Sequence, residues 1–204
     1  MGDYEYNMIV IGSGPAGLRA ALQAAKLHKR VAIVESEEIG GGATLNLGTI
    51  PSKTLREAAL YLSGFRQRGL YGRSYAVKHN VSMTDLLSRC DHVARAETDV
   101  KRHQLLRNNV ELITATASFV DPHTLNLTFK QGNTRYEATA EHIVIATGST
   151  LPKVVGRANQ RMIFTIDDIL HLEQLPRTLA VVGAGIVGCE FACLFAILGV
   201  RVTL

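Results

Sequence analysis

Residues 8–17 of the 204-residue chain read MIVIGSGPAG, and residues 179–188 read LAVVGAGIVG. The two stretches align without a gap, and the alignment extends over residues 8–33 and 179–204. In each copy a short apolar run precedes a glycine-rich turn, and a helix-length segment and a second β-type run follow it. This order predicts two strand–helix–strand units. Their wide separation along the chain excludes a short-period solenoid and indicates two domains.

The first glycine turn has the sequence context that a dinucleotide site requires. Its glycines are Gly12, Gly14 and Gly17, and the β-type run that follows the helix, residues 31–34, ends in Glu35. The first glycine permits a tight turn, the second lets the backbone approach a pyrophosphate, and the third lets the helix pack closely on the strand. Glu35 is placed to accept hydrogen bonds from ribose hydroxyls. The alternative is a structural turn without a ligand, but packing alone does not need an acidic residue there.

The second glycine turn carries Gly183, Gly185 and Gly188 at the same spacing. The position equivalent to Glu35 would lie beyond Leu204, so the choice between NAD and NADP, which a residue there would set, is left open. Because the chain stops within an apolar strand pattern, we expect it to be the N-terminal part of a longer protein.

The sequence between the two copies is helical first and strand-rich afterwards. Pro51 stands where a helix is expected to begin, a longer helix follows with Thr84 as its N-cap, and alternating apolar residues begin near Val110. The sequence therefore predicts an α/β protein with a Rossmann-like fold. Residues 1–150 would form a dinucleotide-binding domain, and residues 151–204 the truncated start of a second one.

Charge and composition exclude several classes of function. Lys and Arg number 22 against 18 Asp and Glu, and no basic run exceeds two residues, so we expect no nucleic-acid partner. Three cysteines and an acidic N-terminus without a signal-peptide pattern indicate the cytoplasm. Residues 178–200 hold a single charge, but their glycines divide them into pieces too short for a bilayer, so no membrane association is expected.

The histidines and cysteines do not indicate a metal-binding or redox site. The seven histidines are scattered without a metal-binding motif, so we expect no metal. Cys189 and Cys193 lie one helical turn apart among apolar residues, and we interpret both as core residues rather than as a redox or zinc pair.

Four motifs distributed over the whole chain are IGSGPAG at 11–17, GGGATLNLGTIPSK at 40–53, IVIATGS at 143–149 and VVGAGIVGCE at 181–190. Together they resemble the flavoprotein disulfide reductase family, in which GGxCxNxGCxPSK holds two redox cysteines beside the flavin. Thr44 and Thr49 occupy those two positions here. Threonine forms neither a mixed disulfide nor a thiolate, so the family's disulfide route is chemically excluded.

The segment GTIPSKTLREA, residues 48–58, is most similar to the soluble pyridine nucleotide transhydrogenase branch of that family, which lacks the disulfide. The resemblance implies an FAD-dependent enzyme that binds NAD(P), transfers hydride between its substrates NADPH and NAD, and is a homo-oligomer when full length. The 204-residue chain alone is expected to be inactive. Two alternatives stay open: another cysteine-free oxidoreductase of the same fold, and a nucleotide-binding module without turnover.

The resemblance also implies two catalytic residues. Lys53 corresponds to the family lysine near flavin N5, and Glu190 to the carboxylate that pairs with it. Glu190 is the only charge in an otherwise apolar helix, and such a carboxylate needs a cationic or hydrogen-bonding partner. We therefore predict an ion pair between Lys53 and Glu190 across the interface of the two predicted domains.

A wider set of residues is implied to bind the cofactors. Thr147 and Gly148 match the turn that closes on the FAD cleft. Thr165, Asp167 and Asp168 fit either a segment leading out of the FAD-binding lobe or a helix N-cap. The expected cofactor-binding residues are Gly12, Gly14, Pro15, Ala16, Gly17, Glu35, Gly42, Thr44, Thr49, Lys53, Thr147, Gly148, Gly183, Gly185 and Gly188.

Overall fold

A computed structural model describes residues 4–37, 42, 48–130, 134–149 and 162–204, except for the side chain of Asp167. Two compact units are distinguished by their internal contacts: Met1–Asn46 with Ala96–Lys153, and Leu47–Arg95 with Val154–Leu204. The predicted domains, 1–150 and 151–204, are defined by the ligand that each binds. These contacts do not test that division, which stays a prediction.

The first unit is built on a six-stranded sheet. Its strands are β1 Tyr6–Ile11, β2 Val31–Glu35, β3 Glu111–Thr114, β4 Thr116–Asp121, β5 Thr124–Thr128 and β6 Arg135–Ile145. The spatial order is β3-β2-β1-β6-β5-β4, with parallel pairing from β3 to β6 and antiparallel pairing from β6 to β4. The long strand β6 belongs to both parts, because Thr139 pairs with Thr124 of β5 and Ala140 pairs with Tyr6 of β1.

Helix α1, Pro15–Lys26, follows the first glycine turn and packs on the parallel strands. Its buried residues Leu18, Ala21 and Leu22 form a core with Val10 of β1 and Ile33 of β2. The neighbouring residue Ile9 belongs to a separate core, because successive strand residues point to opposite faces of a sheet. Burial on both faces explains why the first apolar run is continuous rather than alternating. The predicted α/β, Rossmann-like fold is confirmed.

The second unit combines helices with a two-stranded parallel sheet. Strands β7, Thr178–Ala180, and β8, Arg201–Thr203, pair with Leu179 opposite Val202. Its helices are α2 Thr49–Leu62, α3 Arg68–Tyr71, α5 Ile166–Ile169 and α6 Ile186–Ile197, with a 3-10 turn at Phe65–Gln67, and helix α4, Met83–Arg107, continues from this unit into the first. The shared core includes Leu55, Leu86, Phe191, Leu194 and Phe195.

The first residues of two helices differ from the predictions. Helix α2 begins at Thr49, two residues before Pro51, because the first N–H groups of a helix need no intrahelical acceptor and proline is tolerated there. The N-cap of α4 is Ser82, so the assignment of Thr84 is wrong. The Ser82 hydroxyl accepts a hydrogen bond from the Asp85 N–H at 3.3 Å, and the Asp85 carboxylate accepts one from the Ser82 N–H at 2.9 Å. This reciprocal pair is a capping box.

The apolar stretch at residues 178–200 folds as β7, a glycine turn and α6, a helix of 12 residues. The prediction that the glycines divide it into a strand and a short helix is confirmed. Across the described ranges, no helix has both the length and the apolar character to cross a membrane.

The interpretation of both cysteines of α6 as core residues is wrong for Cys193, which is exposed, and Cys189 is only half-buried. The helical period explains the difference. Phe191 and Phe195 are one turn apart and face the core, so Cys193, halfway between them in sequence, lies on the opposite side of α6.

Candidate functional site

The first glycine turn is fixed by two close backbone approaches. Gly12 has φ +106°, and a Cβ atom added there would lie 2.4 Å from the carbonyl oxygen of Ala146. A Cβ atom on Gly17 would lie 2.0 Å from the carbonyl oxygen of Gly12. Neither position can hold a larger residue without displacing backbone, so both glycines are required by the geometry of the turn.

The start of α1 is built from residues that leave its N–H groups accessible. Gly14 is the N-cap, and it makes no side-chain cap hydrogen bond. Pro15 and Ala16 are exposed, and the first turn contains no acidic residue. The backbone of Gly42 lies against Gly14, since a Cβ atom on Gly42 would be 3.0 Å from the Gly14 Cα atom. The positive end of the helix dipole therefore faces a turn without large side chains, which suits an anion.

Glu35 ends β2 and reaches back to the glycine turn. Its Oε2 atom accepts hydrogen bonds from the Ser13 N–H at 2.9 Å and the Ser13 hydroxyl at 2.6 Å, while Oε1 accepts one from the Ser36 N–H at 2.8 Å. Burial raises the pKa of Glu35, but these hydrogen bonds and one from the Glu37 N–H outweigh it, so the pKa lies below its ordinary value. Glu35 is an ionised hydrogen-bond acceptor beside the start of α1.

The turn after β6 lies next to the first glycine turn. The Ala146 N–H donates a hydrogen bond to the carbonyl oxygen of Ile11 at 2.8 Å, and a Cβ atom on Gly12 would lie 3.3 Å from the Thr147 Cα atom. Thr147 and Gly148 are exposed, and Gly148 has φ +71°. In the first unit the structure therefore brings Thr147 and Gly148 to the same end of the sheet as Glu35.

In the second unit, Lys53 and Glu190 form the predicted ion pair, with Lys53 Nζ donating to Glu190 Oε1. The pair is possible because α2 and α6 pack through the core that Leu55 and Leu194 share. The Lys53 side chain is 58% exposed, whereas that of Glu190 is 15% exposed, so the lysine compensates a largely buried carboxylate. Thr49, the first residue of α2 and one turn before Lys53, is exposed.

The second glycine turn reproduces the first within its own unit. Gly183 has φ +107°, Gly185 is the N-cap of α6 without a side-chain cap bond, and a Cβ atom on Gly188 would lie 2.0 Å from the Gly183 carbonyl oxygen. The Cys189 N–H donates to the Gly185 carbonyl at 3.0 Å, as the Leu18 N–H does to Gly14 at 2.9 Å. The predicted repeat of the strand–turn–helix–strand unit is confirmed.

The remaining predicted residues have different outcomes. Thr44 lies outside the described residues. Thr165 is the N-cap of α5, and its N–H and hydroxyl donate to the Asp168 carboxylate at 2.6 and 2.7 Å, which confirms the N-cap interpretation for both residues. The side chain of Asp167 is not described. Ser13 was not predicted as a site residue. Its signal in the sequence is a hydroxyl side chain between two glycines of a turn that is otherwise glycine and apolar.

Comparisons with known proteins agree on one family. The model of the pyridine nucleotide-disulphide oxidoreductases matches residues 6–204. A soluble pyridine nucleotide transhydrogenase of Mycobacterium bovis is 48% identical over 200 residues, which cover 98% of this chain and 43% of that protein. One from Hahella chejuensis is 38% identical, with coverage of 100% and 44%.

Among solved structures, the HOCl-induced flavoprotein disulfide reductase RclA from Escherichia coli superposes with a TM-score of 0.78 at 29% identity. The superposition covers 97% of this chain and 41% of RclA. The chain thus spans less than half the length of the relatives that it matches.

Proposed function

The chain belongs to the pyridine nucleotide-disulphide oxidoreductase family, and from that premise we propose that it forms the FAD-binding part and the start of the NAD(P)-binding part of a transhydrogenase. The whole enzyme would transfer hydride between NADPH and NAD through FAD. The names of the M. bovis and H. chejuensis relatives support this reaction over others of the family. Assembly into a homo-oligomer and a cytoplasmic location belong to the same proposal.

The observation that carries the proposal is the pairing of an open helix N-terminus with an ionised carboxylate in the first unit. Gly14 at the start of α1 offers N–H groups to a pyrophosphate, and Gly42 lies so close that a Cβ atom added to Gly42 would be 3.0 Å from the Gly14 Cα atom. Glu35 accepts hydrogen bonds as a carboxylate, which suits the hydroxyls of the adjoining ribose. These residues fit the phosphate and sugar of FAD.

The second glycine turn is proposed to bind NAD(P) by the same means, with Gly185 at the start of α6 in the role of Gly14. Bound FAD would supply the chemistry, since its isoalloxazine ring accepts and releases two electrons with a proton. The residues of this chain would bind and orient the cofactors. Lys53, held by Glu190, would place a positive charge where the family resemblance assigns the lysine, near flavin N5.

No thiol is needed for this reaction. Hydride passes between stacked rings, which requires geometry and electrostatic tuning but no nucleophile from the protein. This agrees with Thr49 at the position of the second family cysteine, one turn before Lys53 on α2. The disulfide reductions of other family members are not expected of this protein.

The test is an anaerobic experiment on the full-length protein loaded with FAD. Addition of NADPH should bleach the flavin absorption, and NAD should restore it. Restoration by a quinone or oxygen, but not by NAD, would favour another cysteine-free oxidoreductase of the same fold. The 204-residue chain alone should bind nucleotide without turnover, because its relatives carry more than half of their length outside the matched part.

A further inference from the structure

Ser13 makes the shortest hydrogen bond to the candidate ribose-binding carboxylate. This residue lies between Gly12 and Gly14 and is 4% exposed. Both its hydroxyl, at 2.6 Å, and its N–H, at 2.9 Å, donate to Oε2 of Glu35. A hydroxyl that donates to an ionised acceptor makes a stronger bond than a neutral pair does.

The two oxygens of Glu35 are used differently. Among the described residues, Oε2 accepts two short hydrogen bonds, both from Ser13, and a carboxylate oxygen has two lone-pair directions. Oε1 accepts one short bond from the Ser36 N–H and two long contacts, from the Ser36 hydroxyl at 3.3 Å and the Glu37 N–H at 3.4 Å. A ribose hydroxyl can replace the long contacts on Oε1 at little cost.

We propose that Ser13 is a positioning residue for FAD binding, whose hydroxyl fixes Oε2 of Glu35 and keeps the carboxylate oriented so that Oε1 accepts a ribose hydroxyl. This inference depends on the proposed FAD site. It goes beyond that site because the proposed contacts with FAD are made by the glycine turn and Glu35, whereas Ser13 acts through Glu35. Ser13 itself need not touch the ligand.

A purely structural role for Ser13 is the competing explanation, in which its hydroxyl only stabilises the turn. The two explanations predict different FAD affinities when Ser13 and Glu35 are substituted together. If Ser13 acts through Glu35, removal of its hydroxyl should have no effect once the carboxylate is gone. If it only stabilises the turn, the two effects should add.

The experiment measures FAD affinity of the 204-residue chain by flavin fluorescence for four variants, Ser13→Ala, Glu35→Gln, the double variant and Ser36→Ala. Ser13→Ala should weaken binding about tenfold, the size expected for one charge-assisted hydrogen bond. Glu35→Gln should weaken it at least as much, and the double variant should equal Glu35→Gln within about twofold. Ser36→Ala is the matched control, since it removes a hydroxyl at 3.3 Å from the same carboxylate, and it should change affinity less than about twofold.

The pH profile supplies a second readout, which reports whether the Ser13 hydroxyl acts on the Glu35 carboxylate that FAD binding uses. FAD affinity of the unsubstituted chain should fall only below the ordinary glutamate value of 4.5, because the pKa of Glu35 is lowered. Without the Ser13 hydroxyl, the midpoint of that fall should move to higher pH. If Ser13→Ala does not fold, Ser13→Cys keeps the volume with a weak donor and should show the same loss.

The outcomes separate the two proposals. A folded chain that binds no FAD contradicts the proposed function itself. FAD binding that weakens in Glu35→Gln but not in Ser13→Ala, or effects of the two substitutions that simply add, would overturn the role of Ser13 and leave the FAD site standing.

Discussion

The two strand–helix–strand units have nearly the same local geometry in different surroundings. Gly12 and Gly183 have φ of +106° and +107°, and added Cβ atoms on Gly17 and Gly188 would both lie 2.0 Å from a carbonyl oxygen. Around Gly12, however, the backbone of Ala146 approaches to 2.4 Å of an added Cβ atom, whereas none of the described residues lies within 4 Å of one on Gly183.

The difference comes from the strands that flank the first strand of each unit. β1 is flanked by β2 and β6, so the end of β6 closes over the first turn, while β7 pairs with β8 alone among the described residues. A glycine is therefore required for two reasons. One is the packing of a helix on its own strand, which both units share, and the other is the approach of a third strand, which the described residues show in the first unit.

The largest loss of stability is expected at the two glycines where both units have the same close backbone contact. Gly17→Ala and Gly188→Ala should each destabilise their unit by about 3 kcal/mol or more, since backbone rather than a flexible side chain must move. Hydrogen exchange of α1 and α6 measures the two units separately. Gly69→Ala is the control, because no atom of the part of the chain that the structure describes lies within 4 Å of its added Cβ atom. If the two alanine variants lose clearly different amounts of stability, the two units are not equivalent.

The second-largest loss of stability should differ in size between the two units. Gly183→Ala should destabilise the second unit by about 1–2 kcal/mol, the cost of a positive φ for a residue with a side chain. Gly12→Ala should destabilise the first unit by about 1–3 kcal/mol more, because its Cβ atom also meets Ala146. Equal losses in hydrogen exchange would show that β6 does not constrain the first turn.

A smaller effect is expected for the ion pair of the second unit. Lys53→Met should leave the largely buried Glu190 without its cation and lower the free energy of unfolding by about 1 kcal/mol, a value reduced by the exposure of Lys53. The further substitution Glu190→Gln should restore most of that loss, since no unpaired charge remains. Urea denaturation tests both variants, and a Lys53→Met chain as stable as the original would contradict the compensation.

A loss of stability no larger than that of Lys53→Met is expected at a helix cap. α1 and α6 start at glycines without side-chain caps, whereas α4 has the Ser82–Asp85 capping box. Ser82→Ala should cost about 1 kcal/mol, and Thr84→Ala, the matched control, close to nothing. Urea denaturation of both variants checks this, and equal losses would restore Thr84 as the cap.

The Ser82–Asp85 capping box also predicts that the stability of the protein depends on pH. Hydrogen bonds and the ion pair with Lys78 lower the pKa of Asp85 to about 2 from 3.8. Because the pKa is lower in the folded state, the contribution of Asp85 to stability is present above about pH 4 and is lost as the pH falls towards 2. In Asp85→Asn this loss should be missing from acid unfolding followed by circular dichroism.

The sequence predicted the features that short segments encode. The repeat, the glycine turns and Glu35 at the end of β2 follow from local periodicity and from the conformations that only glycine adopts. The Lys53–Glu190 pair was also predictable, because a lone charge in an apolar helix requires a partner. The family resemblance then supplied the identity of that partner.

Other features that depend on contacts between distant residues were not predictable. Nothing local indicates that β6 joins a parallel and an antiparallel sheet, or that Ala146 closes over Gly12. The exposure of Cys193 depends on which face of α6 meets α2. Ser13 was missed because its partner, Glu35, is 22 residues away and is brought near only by the parallel pairing of β1 and β2.

Equilibrium dialysis of the folded 204-residue chain against FAD, beside its Glu35→Gln variant, tests the central claim most directly. The account predicts one FAD bound per chain and affinity at least tenfold weaker in the variant, about 1.4 kcal/mol or more. A folded chain that leaves FAD free, or one that binds it equally well without the Glu35 carboxylate, would contradict the claim.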